Sequence, residues 1–234
     1  ERDEWLLKGL ADLAVVALQS MERYKKASRE AQQTEMLYRA GRELAKITYW
    51  EELEQAYDII LHIAEEHSPC QVVIRRYDDY SRALILLRAT SYQDTPPFQR
   101  MDLDEGLNGK VARERRTIVV YDSHNPPSEV ALSLSDATIR SLIITPIQFK
   151  DRYYGNFALA HRDASYFRGS ETGFFEGLAD QLASTIYRLE TAKARQELEQ
   201  ISSIGHSAFE LTHRLANDLG LVQFYTSDIQ WRIG

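Results

Sequence analysis

The chain has 234 residues, 44% of them hydrophobic, and no apolar run long enough to span a bilayer. With 35 acidic against 28 basic residues the net charge is −7, which offers no basic footprint to nucleic acid or to an anionic membrane. One cysteine, Cys70, excludes an internal disulfide framework and a cysteine-rich zinc site, and it points to a reducing, cytoplasmic setting. No basic stretch followed by a short apolar run opens the sequence, so no signal peptide is expected. A first residue Glu1 and a last segment "DIQWRIG" without a terminating signal are read as marks of a piece of a longer protein.

Residues 1–67 contain no proline, and their apolar positions recur at helical spacing. Leu10, Ala14, Ala17, Met21, Tyr24, Ala31 and Tyr38 fall on steps of four and three or their multiples, with Ser28 and Glu35 as polar interruptions, a heptad pattern with a soft core. "WEELEQAYDIILHIAEEH" then carries a stronger stripe through Leu53, Tyr57, Ile60 and Ile63, suited to packing on a sheet, and "SPC" ends it. The letters leave open whether the first helix runs straight into residue 51 or kinks near Gly41, where glycine weakens it.

The centre is β-rich. "QVVIRRY" and "RALILLRAT", joined by "DDYS", predict a hairpin over 71–91. "TPPF" breaks the chain, and "EGLNGKVARERR" predicts a short helix led in by glycines. "TIVVYD" predicts a strand, "SHNPPSEVALSLSD" a loop with one helical turn at most, and "RSLIITPIQF" with "RYYGNFALAHR" two antiparallel strands around "KD". Five strands with helices before and after them give an α+β domain. The expected boundaries are a linker helix over 1–49, the domain over 50–190 and a C-terminal signalling and dimerisation helix over 191–234.

From Ser170 to Ile233 the sequence again lacks proline and reads as helix throughout. Leu178, Leu182, Ile186 and Leu189 form one stripe; Leu198, Ile201, Ile204, Ala208, Leu211, Leu215 and Leu219 form another. Continuing Leu182 and Leu189 by sevens lands on Gln196, Ser203 and Glu210, so the two stripes are out of phase and the coil changes winding between them.

Three ordered pieces carry a family resemblance: "EGLNGKVARERRTIVVYD", "SLIITPIQFKDRYYGNFALAHRD" and "YFRGSETGFFEGLADQLASTIYRLE". Together they resemble the glycine-rich turn, helix and strand, the last hairpin and the closing helix of a GAF domain. The resemblance implies an antiparallel six-stranded sheet flanked by helices, with long coiled-coil-like helices at both ends and a small-molecule pocket under the loops of one face. That pocket would be lined by Tyr92, Phe98, Leu107, Tyr121, Asp122, Ser123, His124 and Thr145; in the alternative, Leu107, Val130 and Leu132 fill it. "LLKGLADLAVVALQSMERY" is similar to "FFEGLADQLASTIYRLE", as if the first helix closed a preceding domain of the same kind. Tandem arrays of this sort resemble the input halves of bacterial sensor proteins, which implies a parallel homodimer that relays a signal through its helices. Covalent bilin is disfavoured because Cys70 precedes the first strand, and a cyclic nucleotide because no Asn-Lys pair occurs beside Phe167 and Glu171.

No metal is expected. His62 and His67 lie on different helix faces, and His206 and His213 have no carboxylate or cysteine at ligand spacing to complete a site. No G-x-S-x-G elbow, Walker loop or Rossmann loop is present, so no active site with its own chemistry is read. One stretch stands apart: "SSIGHSAFELTHRLANDLGLVQFYTSDI" resembles the first helix of a histidine-kinase dimerisation domain, which would make His213 a phosphoacceptor with Asn217 four residues on. It departs from that pattern at Arg214, where an acidic neighbour would orient the imidazole, and at Asp218, where a proline is common. If Leu211 and Leu215 face a partner helix, His213 points outward. The remaining reading is a ligand-free dimerisation scaffold.

Overall fold

The computed structural model describes residues 2–68, 70–90, 99–103, 106–124, 139–168 and 170–233, with side chains described between 13 and 216 except at Ser170. Helix α1, Arg2–Ala45, passes through Gly41 without a break. It stops because the chain tightens: Lys46 and Ile47 N–H groups bond three residues back, to Glu43 and Leu44. The Glu52 carboxylate then accepts the N–H groups of Thr48 (3.0 Å) and Tyr49 (3.2 Å), capping a short 3-10 turn that leads into α2, Leu53–His67. On α2 the predicted stripe is the buried one, with Leu53, Tyr57, Ile60 and Ile63 joined by Ala56 and Ala64.

Six strands follow: β1 Gln71–Asp78, β2 Ala83–Ala89, β3 Arg100–Asp102, β4 Ile118–Val120, β5 Ser141–Phe149 and β6 Arg152–His161. Helix α3, Gly106–Glu114, lies between β3 and β4, and α4 runs from Ser170 to Ile233. All neighbours are antiparallel, in the order β3-β2-β1-β6-β5-β4. The sequence predicts five of these strands. The sixth, β3, has three residues, two of them charged and exposed, and pairs with Ala83–Ile85 at the sheet edge. Such a segment carries no alternating apolar signal, so only pairing reveals it.

Register sorts the strand residues into two faces. Val72, Ile74, Ile143, Thr145, Phe157 and Leu159 lie opposite one another across β1, β6 and β5. They face α2 and α4: Phe157 meets the ring of Phe175 at 6.2 Å. Leu142, Ile144, Ala158 and Ala160 point the other way and pack with Val120, Leu107 and Val111 of α3. Gly155 lets β6 approach β1: its φ is +149°, and a Cβ there would lie 1.9 Å from the Arg75 carbonyl oxygen.

Helix α1 docks on this domain through Gln33, Met36, Ala40 and Leu44, all buried. Arg39 forms a two-pronged ion pair with Glu66 of α2. Against α4 it runs in the same direction: Arg29 approaches Glu171 at 3.9 Å, Leu37 rests on Gly177, and the Gln181 amide donates to the Leu37 carbonyl at 3.0 Å. At 100° per residue the docked side is about half a turn away from Ala31, Glu35 and Tyr38, the predicted seam. The seam is left outward, with Tyr38 67% exposed. From Arg188 onward α4 is a separate unit, a helix whose residues 191–216 are exposed on all sides.

Candidate functional site

The α3 face of the sheet is the one where the sequence places a pocket. Leu107 stands there, buried with Val111, Val120, Leu142 and Ile144. Thr145 does not join it. Register puts Thr145 beside Phe157 and Ile74 on the opposite face, where it is buried and accepts a hydrogen bond from the Thr117 hydroxyl at 3.0 Å. Tyr92, Phe98, Val130 and Leu132 lie outside the described residues.

Tyr121, Asp122, Ser123 and His124 form a knot at the end of β4. The Ser123 N–H donates to Arg140 O at 2.7 Å and its hydroxyl to Ile139 O at 2.5 Å. Arg140 Nε donates to Asp122 Oδ1 at 2.9 Å, and the same oxygen accepts the His124 N–H at 3.2 Å. The Asp122 hydrogen bond raises the Arg140 guanidinium above its ordinary range. Tyr121 accepts the Ser165 N–H at its carbonyl and lies 5.5 Å beneath the Arg168 guanidinium, its ring about half exposed. These four residues thus fasten the end of β4 to the approach to β5 and to the segment that follows β6.

A polar cluster that sequence reasoning does not single out is buried on the same face. Asn156 of β6 accepts the Tyr153 hydroxyl proton at 2.5 Å and donates to the backbone oxygen (3.0 Å) and side-chain oxygen (3.2 Å) of Asn108 on α3. Asn156 is fully buried, and burial pushes the Tyr153 phenol well above its usual range. The Arg115 guanidinium lies 4.3 Å over the Tyr153 ring, and the Tyr77 ring packs against the same ring with centroids 5.5 Å apart. Arg75, directly opposite Asn156 in the β1–β6 register, is 6% exposed. The signal for Arg75 was its parity: in "QVVIRRY" it shares a face with Val73 and Tyr77, so a buried charge stands on an apolar alternation.

Between the other sheet face and the helices is a second buried pair. His67 Nε2 and Glu171 Oε2 are 2.6 Å apart, each side chain under a tenth exposed, and the Phe174 ring lies 4.1 Å from the imidazole. It joins the end of α2 to the first turn of α4, where a carboxylate complements the helix dipole. Cys70 is partly buried beside this pair, and burial pushes its thiol up to about 11. Among the described residues no group of three or more His, Cys, Asp or Glu could hold a metal ion. His213 is exposed on the distal part of α4, its ring 6.4 Å from that of Phe209; the side chain of Asn217 lies outside the described residues.

An antiparallel sheet of six strands carries a short helix over one face and long helices behind the other. Residues 51–186 match the GAF domain family, and the chain belongs to that family. Among solved structures, the chain is similar to a free methionine-R-sulfoxide reductase from Neisseria meningitidis in complex with its substrate, with a TM-score of 0.59 and 21% identity over 69% of this chain and 92% of the other. It is also similar to the GAF domains of phosphoenolpyruvate-protein phosphotransferases from Acinetobacter, at 0.58 and 16% over 68% and 95%, and from Coxiella burnetii, at 0.58 and 20% over 69% and 96%. At these identities the likeness is one of fold. A comparison with curated proteins gives no match. No helix among the described residues is long and apolar enough to cross a membrane.

Proposed function

We propose that the chain is a cytoplasmic sensory and dimerisation region of a bacterial signal-transduction protein. Its GAF domain takes small-molecule or conformational input, and parallel helices of a homodimer relay it. The observation that carries this reading is the outward stripe of α1. The helix spends Met36, Ala40 and Leu44 on its own domain and leaves Leu13, Met21, Tyr24 and Tyr38 exposed, while α4 leaves Leu198, Ile201, Ile204, Leu211 and Leu215 exposed by 60–68%. Apolar stripes of this length on helices that extend from a packed domain are stabilised by a partner helix. Light scattering at micromolar concentration tests it: a dimer is expected, and a monomer overturns it. Native mass spectrometry of the same sample tests the input, since a noncovalent ligand appears as mass lost on denaturation, whereas bare chains favour a ligand-free scaffold.

A second reading makes His213 the phosphoacceptor of a histidine kinase, with Asn217 beside it. The observation in its favour is exposure of the imidazole half a turn from Leu211 and Leu215, where a phosphoryl donor could reach it while those leucines face a partner. Acid-labile phosphate on the full-length chain that disappears in His213→Gln is the expected result. Phosphate that survives the substitution removes His213 from that role.

A further inference from the structure

Helix α4 is flanked by α1 on one side, through Gly177 and Gln181, and by the β5–β6 turn on the other, through Phe149 and Lys150 against Tyr187. Between them lies a groove of about 520 Å³ lined by Gln148, Phe149, Lys150, Asp180, Gln181 and Ser184. Asp180 is the acidic residue of its lining, and Glu176, which is not among the lining residues, lies one helical turn earlier on the same face of α4. Glu176 and Asp180 are four residues apart on one helix face, a like-charge spacing that costs stability in an isolated helix. Burial, and then Glu176, hold the Asp180 carboxyl above the usual carboxylate range. Among the described residues neither carboxylate has a cation at ion-pair distance; Lys150 is turned to the Tyr187 ring, 4.7 Å from its centroid.

The outward stripe of α1 offers the complement. Tyr38 and Ala45 are exposed, and Arg42, its side chain 61% exposed, meets only the adjacent Glu43, at 3.6 Å. The heights also agree. Within one chain Leu37 is level with Gly177 and Gly41 with Gln181, and the two helices run in the same direction. A two-fold axis along the helices therefore brings residues 38–42 of a second copy level with 176–181 of the first.

We propose that the occupant of this groove is α1 of a second copy of the chain, seated with its Tyr38–Arg42 stripe on α4, and that the partner's Arg42 pairs with Asp180 and Glu176. This rests on the homodimer reading and specifies which helices cross between subunits: each α4 is held by its own α1 on one side and by the partner's α1 on the other. A charge-reversal series read by sedimentation equilibrium tests it. Arg42→Glu is expected to raise the dimer dissociation constant by about tenfold or more, because like charges then face each other across the groove. Glu176→Lys with Asp180→Lys is expected to do the same, and the three substitutions together to recover most of the wild-type affinity. Arg42 and Asp180 are exposed and Glu176 is half-buried, and an unchanged melting temperature of the monomeric variants confirms that the domain is intact. A wild-type dimer that Arg42→Glu leaves unchanged, or a triple variant weaker than either parent, overturns this arrangement alone. A monomeric wild type overturns the dimer reading together with it.

Discussion

Asn156 shows what a single side chain contributes to the α3 side of this domain. It has no access to water, and its amide is matched on both ends by Tyr153 and Asn108. Asn156→Leu is expected to lower unfolding stability by about 2–4 kcal/mol, since the Tyr153 hydroxyl and the Asn108 carbonyl keep their desolvation cost and lose their partner. Chemical denaturation checks the value. Gly155→Ala next to it is expected to be worse, because the backbone of β1 leaves no room for a methyl group and the φ suits no L side chain. Cys70 makes a prediction of a different kind. With its thiol pushed up to about 11, the thiolate is a minor species at neutral pH, and alkylation by iodoacetamide should run about a hundredfold slower than with a free cysteine. The sign for stability follows from the raised value: the neutral thiol stabilises the folded state fully below the range in which an unfolded cysteine titrates. That contribution is lost as pH climbs through about 11. A Cys70 that reacts at the free-thiol rate contradicts both statements.

At the scale of elements, the helices were legible because their signals are long. The proline-free run from Ser170 to Ile233 is one helix, and the α2 stripe through Leu53, Tyr57, Ile60 and Ile63 is the buried one. The strands with five or more alternating or fully apolar residues were legible too. What the letters could not give was pairing: β3 exists only as a partner of β2, and Thr145 could be assigned to a face only once β5 was in register with β6. The break at Ala45 has a local cause that apolar periodicity does not carry: Lys46 and Ile47 bond three residues back, and Glu52 reaches back three and four residues to cap Tyr49 and Thr48. The polar network around Asn156 was missed because asparagine and tyrosine in a strand look like ordinary edge residues until α3 covers them. Contact between α1 and α4 yields the test at this scale. A Cβ at Gly177 would come within 3.1 Å of Leu37, so Gly177→Val is expected to push the two helices apart and cost about 1–3 kcal/mol. Faster hydrogen exchange over Met36–Leu44, with the β5–β6 hairpin unchanged, is the signature to look for.

Taken whole, the molecule divides its apolar side chains between those the domain buries and those the helices leave exposed. If the chain dimerises as proposed, the exposed leucines and isoleucines of 198–215 are expected to contribute to association and not to the folding of the domain. Ile201→Asp with Leu211→Asp should weaken association by about tenfold or more while leaving the melting of the GAF domain unchanged, because that stretch is a separate unit. Sedimentation and calorimetry on the same pair of proteins separate the two effects. The common direction of α1 and the start of α4 has a consequence for the route the chain takes. The polypeptide arrives in α1, detours through the whole domain, and departs in α4 heading the same way, displaced sideways by roughly one helix diameter, about 10 Å. Within the domain the fold therefore works as a lane change in the path of the chain: between the stretch of α1 at Arg29–Gly41 and the stretch of α4 at Glu171–Gln181 it shifts the track without turning it.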